Sequence, residues 1–340
     1  MKVALDAQLT IGTATGIGEY VAGLAAALSR RMDVVELRDP SLDPWRFDRR
    51  VLWDQFLLPR RARASQAQLL HCAGGTMPHD AGMPIVVTVH DLAWHRVQAH
   101  APPYARYYFG AFSLRRYRRA ARVVVDSHFS RDEFLQLAGD FDPTSVDVVY
   151  PGVAADYCEL ARGAVDGRTI LAVGTVERRK NLEVLIRALA RLPDARLVSI
   201  GPLTPYAREC ETIARAVGVA DRFEMRGYVA RTQLLALYAG CAVAAVPSRY
   251  EGFGYAAAQA LCAGVPVVVS DRASLPEVAC GDAPVVPTDD VEAWAGALET
   301  ALNGAATERA ARARAAAIAR FSWEGAARAM ERVYAASIDR

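Results

Sequence analysis

The chain has 340 residues, which exceeds one ordinary domain and is enough for two, each with its own core. Its residues are 52% hydrophobic and 23% charged, a globular composition that excludes a disordered chain. The formal net charge of +2 leaves no global basic excess, so nucleic acid is not expected as a partner.

The cysteines and the apolar runs bear on where the protein works. No C-x-x-C pair is present, and several cysteines lie in apolar runs, so reduced and mostly buried thiols are predicted. The N-terminal MKVALDAQLT reads as a strand and not as a signal peptide, and no apolar run reaches the length of a membrane span. We expect a cytoplasmic protein whose contact with the inner face of the membrane would be peripheral. The cysteines are Cys72, Cys158, Cys210, Cys241, Cys262 and Cys280.

The first half of the chain alternates short apolar strands with helices. Residues 2–6 and 33–37 predict strands, and the segment between them predicts a glycine-rich turn and an amphipathic helix, opened by Gly16 and Gly18. That pattern lacks the third glycine of a dinucleotide-binding fingerprint. The run IVVTVHD predicts a buried strand that ends at His90. His90 is a candidate site residue, because parallel sheets bind ligands at the carboxyl ends of their strands.

Two stretches combine arginines with aromatic residues. The first arginine-aromatic stretch, Trp45–Arg63, has six arginines and two aspartates, and the second, Tyr104–Arg122, has six arginines and no acid. One interpretation is a helix with one core face and one solvated basic face. The other is a surface that contacts anionic lipid or a lipid-diphosphate acceptor. Both interpretations stay open at the level of sequence.

The end of the first half contains an Asp-x-Asp pair, Asp140 and Asp142. Such a pair can chelate a metal, but here it lies between Gly139 and Pro143 with no strand leading into it. A turn is therefore predicted, and no metal site. Strands are predicted on both sides, in ARVVVDSHF and SVDVVYPGV, and a linker follows over residues 151–167.

The second half restarts the alternation of strand and helix, with strands near 168–173, 196–200, 221–225, 242–246 and 265–270. Its first strand leads into GTVERRKN, in which Arg179 and Lys180 precede a helix. Cations at a helix N-terminus oppose the helix dipole unless an anion lies between them. This conflict favours a bound diphosphate over an ordinary basic helix start.

The segment PSRYEGFGYAAAQALCAG predicts the end of a buried strand, a glycine-broken loop, and a helix from about Phe253 to Gly264. A helix start after a glycine-rich turn presents unpaired N–H groups that suit a phosphate. An ordinary βαβ unit with a glycine turn is the alternative. The candidate residues here are Glu251, Gly252, Phe253, Gly254 and Gln259.

These segments resemble a known family. SRYEGFGYAAAQALCAGVPVVVSD, with SLPEV after it, resembles the donor-site signature of the retaining glycosyltransferase family 4. That signature is written E-x7-E; Glu251 supplies the first acid, and Gln259 stands where the second is expected. GTVERRKN resembles the family's phosphate-binding segment, in a form similar to bacterial O-antigen and exopolysaccharide enzymes, many of which are mannosyltransferases.

The resemblance implies the GT-B fold, two doubly wound Rossmann-like α/β domains that face a cleft. Residues 1–155 would bind the acceptor, with a C-terminal helix over residues 322–340 packing back on them. Residues 165–321 would bind the nucleotide sugar.

The resemblance also implies roles for the candidate residues. Glu251 would hold the hydroxyls of the donor sugar, and Arg179 and Lys180 would hold the diphosphate without a metal. His90 would approach the donor sugar. The remaining donor contacts would come from Gly16, Gly18, Gly252, Phe253, Gly254 and Gln259.

The implied activity is transfer of a sugar from a nucleotide-sugar donor, with GDP-mannose as the first expectation. The acceptor would be a saccharide or a lipid-linked saccharide in surface polysaccharide synthesis, and no cofactor is expected. Two alternatives remain at this level. One is a sugar-nucleotide epimerase on the same fold. The other, prompted by Gln259, is a non-catalytic sugar-nucleotide-binding subunit of a polysaccharide assembly complex.

Overall fold

The computed structural model describes residues 1–12, 16–96, 102–304 and 307–338. The chain divides into two compact units. The first consists of Met1–Gly152 together with Phe321–Arg340, and the second of Val153–Arg320. Residues 13–15 of the predicted glycine-rich turn lie outside the described residues, and its glycines, Gly16 and Gly18, already belong to the first helix and not to a turn before it.

Each unit is built on a parallel sheet, and each sheet has six strands within the described residues. The strand order is β2-β1-β3-β4-β5-β6 in the first unit and β12-β11-β10-β7-β8-β9 in the second. The predicted α/β class is confirmed. The strands are β1 (Lys2–Asp6), β2 (Asp33–Leu37), β3 (Leu69–Cys72), β4 (Ile85–Val89), β5 (Arg122–Val125), β6 (Val146–Val148), β7 (Thr169–Val173), β8 (Arg196–Ile200), β9 (Phe223–Met225), β10 (Val243–Val246), β11 (Val267–Ser270) and β12 (Val285–Val286).

Helices follow most of the strands, as the apolar periodicity requires. In chain order they are α1 (Gly16–Leu28), α2 (Phe47–Leu52), α3 (Leu58–Ala64), α4 (Ala93–Arg96), α5 (Pro103–Tyr107), α6 (Ser113–Tyr117), α7 (His128–Ala138), α8 (Ala155–Cys158), α9 (Leu182–Leu189), α10 (Ala207–Ala216), α11 (Arg231–Gly240), α12 (Tyr255–Cys262), α13 (Leu275–Val278), α14 (Val291–Leu302), α15 (Thr307–Arg320) and α16 (Trp323–Ile338).

The sequence did not predict β3 and β12. The residues of β3 are Leu-Leu-His-Cys, which include no β-branched side chain and therefore give no strong strand signal. Pairing with β1 on one side and β4 on the other makes this segment a strand, and all four of its residues are buried. β12 has only two residues and pairs with β11 at the edge of the second sheet.

The helix α16 packs on the first unit through two kinds of contact. The Tyr334 hydroxyl lies 2.8 Å from His71 Nδ1, and His71 Nε2 lies 2.8 Å from the Thr88 hydroxyl. The indole of Trp323 lies so close to Gly23 and Gly152 that a Cβ at either glycine would come within 2.5 Å of it. Only glycine leaves room for the indole at these positions.

The two arginine-aromatic stretches are neither fully solvated nor fully buried. Each forms two short helices joined by a π-helical turn, at Trp53–Leu57 and Tyr108–Phe112. Arg50 is buried and forms ion pairs with Asp54 (3.1 Å) and Asp6 (3.6 Å). Large aromatic side chains of the same stretches remain more than half exposed; they are Trp45, Phe56, Tyr104 and Tyr107.

The core of the second unit lies between the sheet and helices that cover it. Leu185 and Leu189 of α9 pack in one cluster with Trp294 and Leu298 of α14, and all four are fully buried. In this sheet β7 lies between β8 and β10, so the strand order reverses direction at β7. In doubly wound sheets ligands bind at such a switch point, outside the carboxyl ends of the strands.

Candidate functional site

The candidate site of the second unit is formed at the switch point of its sheet, where β7 and β10 lie side by side. After β7 the chain forms a 3-10 turn over Arg178–Lys180, and α9 begins at Leu182. Between them Asn181 adopts a left-handed conformation (φ 54°), and its Nδ2 donates to the Thr288 carbonyl at 2.9 Å. This hydrogen bond anchors the turn to the segment that follows β12.

The loop after β10 is held in place by the hydroxyl group of Ser274. The Ser274 hydroxyl is buried and donates to the carbonyls of Glu251 (3.0 Å) and Phe253 (2.8 Å). Gly254 has a φ of +96°, and a Cβ there would lie 2.8 Å from the Leu275 side chain, so only glycine fits.

The helix after this loop begins at Tyr255, with Gly254 as its N-cap. The helix stops before Gly264 as expected, with Ala263 as its C-cap, but it begins two residues after Phe253. The reason is that a residue with a positive φ cannot continue a right-handed helix, so Gly254 separates Phe253 from α12.

Glu251 is the centre of the site. Its carboxylate accepts hydrogen bonds from Lys180 Nζ (2.6 Å) and from the Ser248 hydroxyl (2.7 Å), and it lies 3.5 Å from Arg179 Nη1. Glu251 is only 8% exposed. Arg179 also pairs with Glu177 at 2.8 Å. The structure thus brings together three of the predicted residues.

The cations determine the charge state of this carboxylate. Burial alone would raise the pKa of Glu251, but Lys180 and Arg179, with the hydrogen bonds from Lys180 and Ser248, outweigh it and lower the pKa below its ordinary value. Glu251 is therefore ionised at neutral pH.

The same geometry revises one step of the sequence argument. Arg179 and Lys180 were expected to need a bound diphosphate, because cations before a helix oppose its dipole. In the structure the carboxylate of Glu251 already lies beside them. The Lys180 side chain is only 21% exposed. A phosphate at this site has to share Lys180 with Glu251.

Gln259 lies in the second turn of α12 and is 8% exposed. Its neighbours along this helix are small or apolar and buried. Gly252, Phe253 and Gly254 all belong to the loop that leads into the helix.

The other predicted residues belong to the first unit, where a second group of side chains surrounds His90. His90 Nδ1 lies 2.7 Å from the Asp126 carboxylate, and His90 Nε2 lies 2.9 Å from the Ala73 carbonyl. Gly16 and Gly18 form the first turn of α1. The same helix carries Tyr20, whose ring meets the His90 ring edge-on at a centroid distance of 4.6 Å.

Sequence reasoning missed four residues that hold these groups in place, namely Ser248, Ser274, Asn181 and Asp126. Two of them carried a usable signal. Ser248 and Asp126 each follow a buried strand within two residues, at the edge where the candidate residues were sought. Ser274 and Asn181 gave no such signal, because their roles depend on contacts with distant backbone carbonyls.

Asp140 and Asp142 lie in a turn. Asp140 pairs with Arg118, and Asp142 accepts a hydrogen bond from the Thr144 backbone N–H at 2.9 Å, which caps a 3-10 turn. Within the described parts of the chain, no three His, Cys, Asp or Glu side chains are grouped so that they could hold a metal ion.

Two family models match the chain. A model described as "Glycosyl transferases group 1" matches residues 162–320, and a model described as "Glycosyltransferase Family 4" matches residues 14–157. Together they span most of both units.

Among relatives, the chain is similar to proteins named D-inositol 3-phosphate glycosyltransferase. The one from Mycobacteroides abscessus is 31% identical over 281 residues, which are 76% of this chain and 61% of that protein. The one from Xylanimonas cellulosilytica is 36% identical over 241 residues, 64% of this chain and 57% of that protein. The chain thus spans about three fifths of the length of these two relatives.

Among solved structures, the chain resembles sucrose-phosphate synthase from Thermosynechococcus elongatus, with a TM-score of 0.76 and 21% identity over 98% of both chains. It also resembles HepE from Anabaena, solved with UDP and glucose, with a TM-score of 0.71 and 18% identity over 98% of this chain and 99% of that one. At this level of identity the likeness shows the fold alone.

The ion pair between Lys180 and Glu251 should contribute to stability. Lys180→Ala leaves a buried carboxylate with weaker neutralisation, so we expect the free energy of unfolding to fall by about 1–3 kcal/mol. Urea denaturation of Lys180→Ala, Glu251→Gln and the double variant measures their coupling. Because the folded-state pKa of Glu251 is lowered, the contribution of the pair should be present above the ordinary value of 4.5 and be lost as the pH falls through the folded-state value.

Arg178→Ala is the matched control, because Arg178 belongs to the same turn but forms an exposed pair with Glu209. It should cost at most about 1 kcal/mol. Equal losses for Lys180→Ala and Arg178→Ala, together with no coupling between Lys180 and Glu251, would contradict the prediction.

Proposed function

The chain belongs to glycosyltransferase family 4, and on that premise we propose that it transfers a sugar from a nucleoside-diphosphate sugar to an acceptor, with retention of the anomeric configuration. The observation that carries this proposal is the cluster of Glu251, Lys180 and Arg179 at the carboxyl ends of β7 and β10. A switch point of a doubly wound sheet is where such folds bind nucleotides.

The two cations suit the leaving group of this reaction. As the bond between the sugar and the diphosphate breaks, negative charge grows on the phosphate oxygens. Lys180 and Arg179 are held beside Glu251 before any donor binds, so they need little reorganisation to stabilise this charge. Fixed cations can do the work that a divalent metal does in other transferases, and we propose that transfer requires no metal and no cofactor.

Glu251 has a positioning role in this proposal. Because its pKa is lowered, it carries no proton at neutral pH and cannot act as a general acid. An ionised carboxylate accepts hydrogen bonds, which suits the hydroxyl groups of a donor sugar. The acceptor would attack from the same face from which the diphosphate leaves, a route that needs no nucleophile from the protein.

We propose GDP-mannose as the donor and a saccharide, free or lipid-linked, as the acceptor in surface polysaccharide synthesis. Support for mannose comes from the form of GTVERRKN. Two other possibilities follow from the similar proteins. HepE was solved with UDP-glucose, and the two relatives described above carry an inositol phosphate in their names. These compounds belong in the same assay.

We also propose that the protein works in the cytoplasm and contacts the inner face of the membrane through the two arginine-aromatic stretches. The ring of Phe47 packs on the rings of Tyr104 and Tyr108, with centroid distances of 4.6 Å and 5.6 Å, so the two stretches adjoin each other. Exposed arginines such as Arg115 and Arg119 accompany the exposed aromatic side chains. Aromatic and basic side chains together favour the interface of an anionic bilayer. No helix in the described part of the chain is long and apolar enough to cross a membrane.

A panel of nucleotide sugars tests the proposed activity. The protein should release nucleotide from one donor only when an acceptor is present, the product should retain the anomeric configuration, and EDTA should leave the rate unchanged. Lys180→Ala should lower kcat/KM by about ten- to a hundred-fold, through the loss of one charge-assisted contact.

Other outcomes of the panel would replace the proposal. Donor conversion without any acceptor would indicate an epimerase, and binding without turnover would indicate a non-catalytic subunit. Loss of activity in EDTA that Mg²⁺ restores would contradict the metal-independent mechanism.

Gln259 offers a test of the departure from the family signature. A carboxylate accepts hydrogen bonds from two ribose hydroxyls, whereas an amide offers one acceptor oxygen. If Gln259 contacts the ribose, Gln259→Glu should keep the KM for the donor or lower it by at most about five-fold, which corresponds to about 1 kcal/mol of binding free energy. Gln259→Ala should raise this KM.

The alternative is that Gln259 only packs in the second unit. Thermal stability would then fall in both variants while the donor KM stays constant. Turnover by Gln259→Glu, with none by the natural protein, would support the non-catalytic subunit.

Membrane contact is testable with vesicles. Vesicles rich in phosphatidylglycerol should sediment the protein, and salt should weaken the binding because surface charges are screened. Replacing the four exposed aromatic residues (Trp45, Phe56, Tyr104 and Tyr107) with serine should abolish it. Leu203→Ser is the control, since Leu203 is similarly exposed (52%) but belongs to the second unit. Unchanged sedimentation of the fourfold variant would show that these stretches do not contact lipid.

A further inference from the structure

His90 contacts an oxygen atom on each side of its ring. Its Nδ1 lies 2.7 Å from the Asp126 carboxylate, and its Nε2 lies 2.9 Å from the backbone carbonyl of Ala73. Asp126 is 2% exposed, and it directly follows β5, whose neighbour β4 ends one residue before His90. The contact thus joins the carboxyl ends of two adjacent strands.

The number of protons on the ring follows from these partners. A neutral imidazole has one N–H group and can donate to only one acceptor. Beside an ionised Asp126, its other nitrogen would then present a lone pair to an oxygen lone pair at hydrogen-bond distance, which is repulsive. An imidazolium has two N–H groups and satisfies both contacts.

The surrounding charges favour the same state. Burial by itself would lower the pKa of His90, but the nearby Asp126 carboxylate, the hydrogen bonds to Asp126 and Ala73, and the charge of Asp91 outweigh it and raise the pKa. Burial also raises the pKa of the Asp126 carboxyl, and the charge and hydrogen bond of His90 act against that rise. His71 and Tyr20 carry no charge at neutral pH. Burial lowers the pKa of His71 to about 3, and burial raises the pKa of Tyr20.

We propose that Asp126 is a positioning residue that holds His90 as a doubly protonated cation, oriented by its two hydrogen bonds at the carboxyl end of β4. The proposal rests on the function proposed above. It assigns His90 to electrostatic stabilisation of negative charge on the substrates, because both of its N–H groups are already directed at Asp126 and Ala73. An imidazolium has no free lone pair, so His90 is not the base that takes the proton of the acceptor hydroxyl.

The fate of that proton follows from the charge balance of the transfer. The acceptor oxygen forms a bond to the anomeric carbon, and the bond from that carbon to the phosphate oxygen breaks with its electron pair. The leaving nucleoside diphosphate gains negative charge at the same moment. Its phosphate oxygen is then the acceptor of the proton, and His90 stays protonated throughout.

The pH dependence has a definite sign. The pKa of His90 is raised in the folded protein above its ordinary value of 6.5. The stabilising contribution of the pair with Asp126 is therefore complete below pH 6.5 and is lost as the pH rises through the folded-state pKa. The value of kcat/KM should fall over the same interval.

Nitrogen NMR of the donor-free protein, labelled with ¹⁵N-histidine, tests the charge directly. Both ring nitrogens of His90 should carry protons at pH 7. In Asp126→Asn one nitrogen should have lost its proton at that pH. The value of kcat/KM should fall by about ten- to a hundred-fold, and its decline with rising pH should begin at a lower pH than in the natural protein. Asp147→Asn is the matched control, because Asp147 lies in β6 of the same sheet and pairs with Arg122 instead. Its His90 signals and its kcat/KM should equal those of the natural protein.

The outcomes separate the two proposals. A His90 ring with a single proton at pH 7 would overturn the assignment, including the case in which the proton lies on Asp126. An Asp126→Asn variant with an unchanged His90 titration and pH profile would overturn the positioning role. Failure of every donor in the panel, with a doubly protonated His90 in the natural protein, would reject the proposed transfer and leave the charge assignment standing.

Discussion

The arrangement of the site in the second unit depends on one buried carboxylate, that of Glu251, beside the switch point of the sheet. An ionised group with 8% exposure is stable only if cations and hydrogen-bond donors replace its lost hydration. Lys180, Arg179 and Ser248 supply them. Because these partners come from two different strand ends, the turn after β7 and the loop after β10 must both hold their shape. The left-handed Asn181 and the hydroxyl of Ser274 provide that rigidity.

The charges of the candidate site nearly balance one another, and this affects how the site could bind an anionic substrate. Two cations, Arg179 and Lys180, stand beside two carboxylates, Glu177 and Glu251. In the function proposed above, a diphosphate would add negative charge and compete with Glu251 for Lys180, so Glu251 would become available to neutral hydroxyl groups. One exchange of partners would then prepare both the phosphate contact and the sugar contact. The same balance lets the unit fold with these charges already in position.

The first unit manages buried charge in a comparable way. Buried acids are paired with cations near the carboxyl ends of the strands. Asp126 pairs with His90, and Asp54 and Asp6 pair with Arg50. Within the first arginine-aromatic stretch, some side chains are buried and others are exposed. Arg50 turns inward to the acids, while Trp45 and Phe56 remain exposed. A composition rich in arginine and aromatic residues is thus compatible with a structural role and a surface role at once.

Local patterns in the sequence were enough to predict the α/β class, most strands and the glycine-broken loop after β10. Valine-rich runs indicate buried parallel strands, and the segment EGFG can be recognised from its own residues, without knowledge of what packs around it. The partners of those residues could not be predicted in the same way. Lys180 and Glu251 are separated by 71 residues, and His90 and Asp126 by 36. Such pairs meet because β7 lies beside β10, and β4 beside β5. Strand order follows from the packing of the whole unit, and hydrophobic periodicity describes only the segment in which it occurs.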